Sequence, residues 1–207
     1  MHLVDHSDGS TGTLQQQGGS GYAGTMKCVV ALMVAGCGAA APAHRGWPVP
    51  DGWKREQIPF PLEFAPTLDH RGIEELRFPP GFLKPGSPNR WSYTFEWQLT
   101  DEAALDAAAL GTEIATYFRG LLGSVDGDRH RFDPAEITAR AAPQGDSFAI
   151  DAHVFDAFGD GSVVDLVGTA RRHACPDHRV VWRFVLAPPA SPIRVTLDDL
   201  AAKSPCG

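Results

Sequence analysis

Polar and apolar residues alternate most regularly in the middle of the chain, between Trp91 and Leu99. Every odd position there is apolar or aromatic, and every even position is polar. This period of two predicts a half-buried antiparallel strand whose inner face carries Trp91, Tyr93, Phe95, Trp97 and Leu99. Four aromatic side chains on one face could also form a platform for a ligand. Core packing is the favoured interpretation, because aromatic side chains dominate the packing of ordinary cores.

The spacing of the apolar residues changes to that of a helix after residue 100. A helix is predicted from about residue 101 or 106 to residue 122, with Thr100 or Asp101 as its N-cap. Gly111 is expected to weaken its middle. The apolar stripe that would pack on the sheet consists of Leu110, Ile114, Tyr117, Phe118 and Leu121.

Four further strands are predicted at residues 135 to 142, 146 to 157, 162 to 174 and 179 to 188. Alternation gives the last three of them one apolar face each. These faces consist of Phe148, Ile150, Ala152 and Val154, then Val164, Leu166, Gly168 and Ala170, and finally Val180, Trp182, Phe184 and Leu186.

The hairpin connections follow from this alternation. Matching the first two faces requires a loop of odd length, so residues 159 to 161, Gly-Asp-Gly, are expected to form a three-residue connection with a left-handed glycine. Gly168 would leave room for the ring of Phe184. Residues 175 to 178 are expected to form the second hairpin turn, and a short helix is expected at residues 197 to 203.

Prolines and aromatic residues crowd the segment from residue 53 to residue 82. Because Pro59, Pro61 and Pro66 each lack a backbone donor and restrict the preceding residue, the segment is expected to be extended, with one short strand at residues 73 to 78. The whole pattern predicts an α+β domain: a curved antiparallel sheet of about five to six strands, ending in a four-strand meander, with one main helix packed across it. A helix followed by four such strands resembles the pattern of cystatin-like folds.

An export signal is predicted at residues 26 to 36. Lys27 supplies a positive charge, residues 28 to 34 are apolar, and small residues precede Cys37. The ending Val34-Ala35-Gly36-Cys37 resembles the lipobox of bacterial lipoproteins, in which the cysteine becomes the mature N-terminus and carries diacylglycerol. The resemblance implies that Cys37 is lipidated, with palmitate-type acyl chains that anchor the protein to a membrane. The alternative is a buried apolar helix. Against it, the run is too short to span a bilayer, and the residues that follow it at once, Gly38-Ala-Ala-Ala-Pro-Ala, have no core-helix pattern.

The segments on either side of this signal differ in composition from the rest of the chain. Residues 1 to 25 are rich in Gly, Ser and Gln and are expected to be a disordered leader or a mis-assigned start that precedes Met26. Residues 37 to 52 are rich in Ala, Pro and Gly and are expected to form a tether. Residues 53 to 207 would then form a single domain. The net charge of −7 argues against nucleic acid as a partner.

Two of the four cysteines, Cys175 and Cys206, lie beyond the signal and the lipidation site. An oxidising envelope compartment favours one disulfide between them, which would close a loop of about 30 residues and contribute on the order of 3.5 kcal/mol. Two free buried thiols are the alternative.

A family resemblance covers residues 53 to 122. Trp53, Phe60-Pro-Leu-Glu-Phe-Ala-Pro66, Gly72-Ile-Glu-Glu-Leu-Arg-Phe78 with Pro80-Gly81, and Trp91-Ser-Tyr-Thr-Phe-Glu-Trp97 resemble a group of uncharacterised bacterial exported proteins. The resemblance implies an envelope protein, on the periplasmic or the surface face of a membrane. It implies no activity, ligand or catalytic residue.

Candidate chemistry is sparse. His173, Asp177 and His178 surround Cys175 and could ligate a transition metal, but their spacing matches no established zinc pattern and a hairpin turn is the favoured interpretation. Asp151, His153 and Asp165 share the sheet face opposite the apolar one and could act as general acids and bases if that face lined a cleft. Thr169, Arg171, His173 and Arg183 are expected on the same face. His70 with Glu75 is a weaker combination still.

The sequence therefore favours a non-enzymatic, lipid-anchored envelope domain without a cofactor. Its expected partner is an envelope protein, a glycan or a small apolar molecule bound between helix and sheet. The alternative is a small periplasmic hydrolase that uses Asp151, His153 and Asp165.

Overall fold

A computed structural model describes residues 46–101 and 104–204 of the chain. Seven antiparallel strands form one open sheet in the order β1-β2-β3-β7-β6-β5-β4, with two α-helices. The strands are β1 (Lys54–Pro59), β2 (Gly72–Phe78), β3 (Tyr93–Leu99), β4 (Thr138–Gln144), β5 (Ser147–Phe155), β6 (Val163–Ala174) and β7 (Val180–Ala187). The helices are α1 (Ala107–Asp126) and α2 (Arg194–Ala202). The predicted α+β class and antiparallel sheet are confirmed.

The strand count is higher than predicted because the proline-rich segment contributes β1. This strand pairs only with β2, so one of its edges needs no ladder partner and tolerates a proline such as Pro59 at its end. The second helix, α2, begins at Arg194, three residues before the predicted start, and packs against β7 and β3.

The predicted faces of the meander are confirmed by the strand register. Ile150 lies opposite Gly168, and Gly168 lies opposite Leu186, so the three apolar faces meet on one side of the sheet. The side chain of Leu186 and the backbone of Val185 occupy the space beside Gly168, so the prediction that Phe184 fills it is wrong.

The loop between β5 and β6 is longer than the predicted three residues. Phe155 pairs with Val163, which leaves seven residues in the loop, an odd number as predicted. Its ends are joined by a hydrogen bond of 2.8 Å from the Asp156 amide to the Ser162 carbonyl. Gly161 adopts the expected positive φ, at 81°.

Helix α1 begins at a different cap from the one predicted. The Asp106 side chain accepts a hydrogen bond of 2.8 Å from the Ala109 amide and is the N-cap. Asp101 is unavailable for this role because its carboxylate accepts from the Arg71 amide at 3.0 Å and contacts His70. Leu110, Ile114, Tyr117 and Phe118 are buried against the sheet as expected, whereas Leu121 is half-buried.

Strand β3 is buried on both faces, so the prediction of a half-buried strand is wrong. Thr94, Glu96 and Gln98 are at most 3% exposed. They are covered because α2 packs over β3 and β7, and because the Trp47 indole donates to the Leu200 carbonyl at 2.9 Å. Trp47 and Leu200, which meet in this second layer, are more than 150 positions apart in the chain. The alternation within one strand cannot reveal such a distant contact.

Buried charges lie beneath the second layer. Arg77 donates to Glu75 at 2.6 Å and stacks over the Trp47 ring at 4.2 Å. Glu96 lies 3.9 Å from the guanidinium of Arg183, which also donates to the Ser204 carbonyl. Because each charge has an opposite charge or a hydrogen-bond partner, the layer can stay buried.

The second hairpin turn forms as predicted. The His178 amide donates to the Cys175 carbonyl at 3.1 Å, and His178 has a positive φ of 66°. Cys175 is buried and disulfide-bonded. Cys206 and Cys37 lie outside the described residues, so the pairing with Cys206 and the lipidation of Cys37 stay predictions.

Candidate binding site

A cavity lies between α1 and the β1-β2-β3 end of the sheet. The volume that the centres of water molecules can occupy in it is about 60 Å³. A single water molecule needs about 10 to 15 Å³ by the same measure. Of its lining residues, Ser124 is exposed and Glu56 is half-buried, so both also reach the protein surface. Its lining consists of Glu56, Ile58, Phe64, Leu76, Phe78, Phe82, Trp91, Tyr93, Tyr117, Leu121, Ser124, Val125 and Phe158.

Aromatic rings brace the walls of this cavity against one another. The Phe78 and Phe82 centroids are 4.6 Å apart, and Phe82 meets Tyr93 edge to face at 5.3 Å. Phe64 and Tyr117 form a similar pair at 5.3 Å. Such pairs stabilise one arrangement of rings, so the cavity is held open by its own walls.

Two carboxyl groups stand on the cavity face of the sheet. Glu56 of β1 lines the cavity, and burial raises its pKa to about 7. Glu74 of β2 is fully buried and lies opposite Trp97 of β3. Burial raises its pKa to about 8, although the hydrogen bond from the Trp97 indole favours its charged form. Near neutral pH, Glu74 is therefore largely a neutral acid.

Two buried polar atoms at this site have no hydrogen-bond partner within the described part of the chain. One is Oε2 of Glu74, whose Oε1 accepts from the Trp97 indole at 3.3 Å. The other is Nε1 of Trp91, a cavity-lining residue that is 2% exposed. Buried polar atoms are nearly always paired, so unpaired ones beside a cavity mark a place where a ligand or water can bind.

The predicted acid-base residues lie elsewhere, on the outer face of the meander. His153 Nδ1 is 2.8 Å from Asp165 Oδ1, and their side chains are 43% and 66% exposed. Asp151 is exposed as well and faces Arg140 and Val167 across the strands. None of the three lines the cavity.

The weak metal candidates are not brought together. His173 Nε2 contacts the guanidinium of Arg183 at 3.2 Å, and burial lowers its pKa. Asp177 pairs with Arg179 at 2.6 Å, and His178 is exposed in the turn. Over residues 46–101 and 104–204, no three His, Cys, Asp or Glu side chains are grouped as metal ligands.

His70 does not meet Glu75, so that combination is wrong. Glu75 faces the buried charged layer and binds Arg55 and Arg77. His70 instead lies between Asp101, at 2.9 Å from Nδ1, and Glu113, at 3.0 Å from Nε2. Hydrogen bonding to Glu113, together with the contact to Asp101, raises the pKa of His70 to about 9. The charged ring therefore ties the start of β2 to α1.

The sequence predicts a ligand between helix and sheet, and that stays a prediction, but most residues that line the cavity there were not identified from the sequence. Trp91 and Tyr93 line it, whereas Phe95 and Trp97 are packed in the core, so the predicted aromatic face divides between the two roles. The signal that could have pointed to the site is a pair of glutamates, Glu56 and Glu74, at positions that alternation assigns to the apolar face.

The chain matches no protein-family model, no curated protein and no solved structure. No helix among the described residues has the length and apolar character needed to cross a membrane.

Proposed function

We propose that this protein is a lipid-anchored domain of the cell envelope that binds a small apolar molecule between α1 and the sheet. The observation that carries the binding function is the aromatic-lined cavity, with the unpaired indole nitrogen of Trp91 in its lining and the unpaired oxygen of Glu74 on the neighbouring strand. Concave, mostly apolar sites with a few polar groups are the usual form of small-molecule sites. Binding rather than hydrolysis is supported because Asp151, His153 and Asp165 are exposed on the opposite face of the sheet.

Filling the cavity is expected to abolish ligand binding. Leu121 is half-buried in the cavity wall, so the larger ring of Leu121→Phe would occupy the space that a ligand needs. Affinity for 2-phenylethanol, a neutral aromatic probe, is expected to fall at least about tenfold, or 1.4 kcal/mol. Isothermal titration calorimetry measures the affinity, and thermal unfolding verifies that the variant is folded.

The matched control is Val195→Phe, which adds the same ring at a position of α2 that is 71% exposed. It is expected to bind the probe as the wild type does. A wild-type protein that binds neither 2-phenylethanol nor toluene would contradict the binding function, as would equal binding by the Leu121→Phe variant.

The anchoring part of the proposal rests on the lipobox-like ending at Cys37. Mass spectrometry of protein extracted from membranes is expected to show loss of residues 1 to 36 and an added mass of diacylglycerol plus one acyl chain. Several acyl chains are what stable anchoring requires. The Cys37→Ser variant is expected to lose the lipid mass and leave the membrane fraction. A wild-type protein found intact and without lipid would refute the anchor.

A further inference from the structure

The cavity carries acid but no base. Glu56 lines it, and Glu74 stands beside it on the next strand, opposite the cavity residue Ile58. No Lys, Arg or His belongs to the lining among the described residues. Arg55, the nearest basic residue on β1, points to the other face and pairs with Glu75. Lys54 lies two positions before Glu56 on the same face, but it is exposed and forms no ion pair with Glu56 within the described residues.

Glu74 adds an unfilled hydrogen-bonding position to this acidic site. Its side chain is completely buried, and its Oε2 has no partner within the described residues. Leaving a buried carboxyl oxygen unpaired is costly, and a polar group supplied by a ligand would relieve that cost. The carboxylate of an anionic ligand would instead be repelled by Glu56 whenever Glu56 is ionised.

The rings around the two acids favour the same kind of ligand. Phe82, Trp91 and Tyr93 line the cavity and present aromatic surface to its interior. The face of an aromatic ring is negative and attracts a cation that is removed from water. Rings and carboxyls together thus suit a molecule that is apolar along most of its length and positively charged at one end.

We propose that the cavity is selective for a small apolar amine, whose ammonium group pairs with Glu56 while its apolar body lies among the aromatic rings. This inference rests on the proposed function, since it names the class of ligand for the same site. Because Glu56 is only half-buried, the charged end of the amine can stay near water.

The pairing predicts a particular dependence of affinity on pH. The titratable groups that share this side of the sheet with Glu56 are Lys54 of β1, Glu74 of β2, Tyr93 of β3 and Tyr117 of α1. Burial raises the pKa of Glu74, Tyr93 and Tyr117. The pKa of Glu56 itself is about 7, so its ionised fraction rises about tenfold from pH 6 to pH 8. Affinity for an amine is expected to rise by up to that factor, whereas affinity for a neutral probe should not rise.

Three probes of similar shape test the selectivity by calorimetry at pH 6 and pH 8: 2-phenylethylamine, 2-phenylethanol and 3-phenylpropanoate. At pH 8 the amine is expected to bind the wild type at least about tenfold more tightly than the alcohol, and the carboxylate most weakly. Glu56→Gln is expected to remove the preference for the amine and keep the affinity for the alcohol. The control Glu63→Gln alters an exposed glutamate next to the cavity residue Phe64 and should keep the preference.

The outcomes separate the two proposals. Equal affinities for amine and alcohol in the wild type at pH 8 would overturn the amine inference and leave the binding function supported. A preference for the carboxylate would overturn it as well. Failure of all three probes to bind would overturn both proposals. Because the pH comparison uses the wild type, the inference stays testable even if Glu56→Gln does not fold.

Discussion

The free energy of unfolding is expected to fall as the pH rises from about 5 to 8, and Glu74→Gln is expected to remove the larger part of that fall. Glu74 is fully buried, and its pKa is raised from 4.5 to about 8 in the folded state. Below pH 4.5 both the folded and the unfolded protein hold the proton, so this residue imposes no penalty. As the pH rises, the unfolded state releases its proton while the folded state keeps it, and stability is lost until about pH 8.

The expected loss is on the order of 3 to 5 kcal/mol, because each unit of pKa difference corresponds to about 1.4 kcal/mol. Urea denaturation at pH 5, 6, 7 and 8 measures it. A residual slope is expected in the variant, since burial also raises the pKa of Glu96, and the pKa of Glu56 is raised to about 7 and that of His70 to about 9. The raised pKa of Glu56 lowers the free energy of unfolding between pH 4.5 and 7, and the raised pKa of His70 lowers it between pH 6.5 and 9. Both changes have the same sign as that of Glu74.

Glu63→Gln is the control for this experiment, because Glu63 is exposed. Its stability curve should run parallel to that of the wild type at every pH. If the curve of Glu74→Gln also ran parallel to that of the wild type, Glu74 would not be the titrating group. The interpretation of Glu74 as a buried neutral acid would then be wrong.

The sheet could be predicted where a single strand carries enough information. Period-two alternation fixes which side chains share a face, and the pairing of Ile150 with Gly168 and of Gly168 with Leu186 follows from matching those faces. The same alternation places Glu74 and Glu75 on opposite faces of β2, as observed. Alternation does not report what covers each face, so the burial of Glu75 and Glu96 beneath α2 and Trp47 could not be foreseen.

The candidate site could be predicted only in outline. A helix with an apolar stripe packed on a sheet implies an interface, but not whether it closes completely. The gap depends on Phe64 and Phe158, which come from segments outside the strands and helices and whose positions no periodicity determines. The N-cap of α1 was misplaced for a similar reason, since Asp101 is engaged by His70 from a distant segment.

Contact between α1 and the proline-rich segment predicts opposite effects for two glycines of the same helix. A Cβ at Gly120 would lie 2.8 Å from the carbonyl carbon of Phe64, closer still to its oxygen, and 3.1 Å from the Cβ of Ala65. Because backbone atoms cannot rotate away, Gly120→Ala must push the helix and the segment apart. The expected loss of stability is about 2 to 4 kcal/mol, at the upper end for an overpacked site.

Gly123→Ala is the matched control, one turn later in α1. Its Cβ would meet nothing closer than the Pro134 ring at 3.6 Å, an ordinary contact. Alanine is the better helix former, so this variant is expected to gain up to about 1 kcal/mol. Chemical denaturation of both variants at one pH measures the difference, and a loss of similar size in both would contradict the close approach. Since Phe64 also lines the cavity, Gly120→Ala is expected to weaken binding of 2-phenylethanol, whereas Gly123→Ala should leave it unchanged.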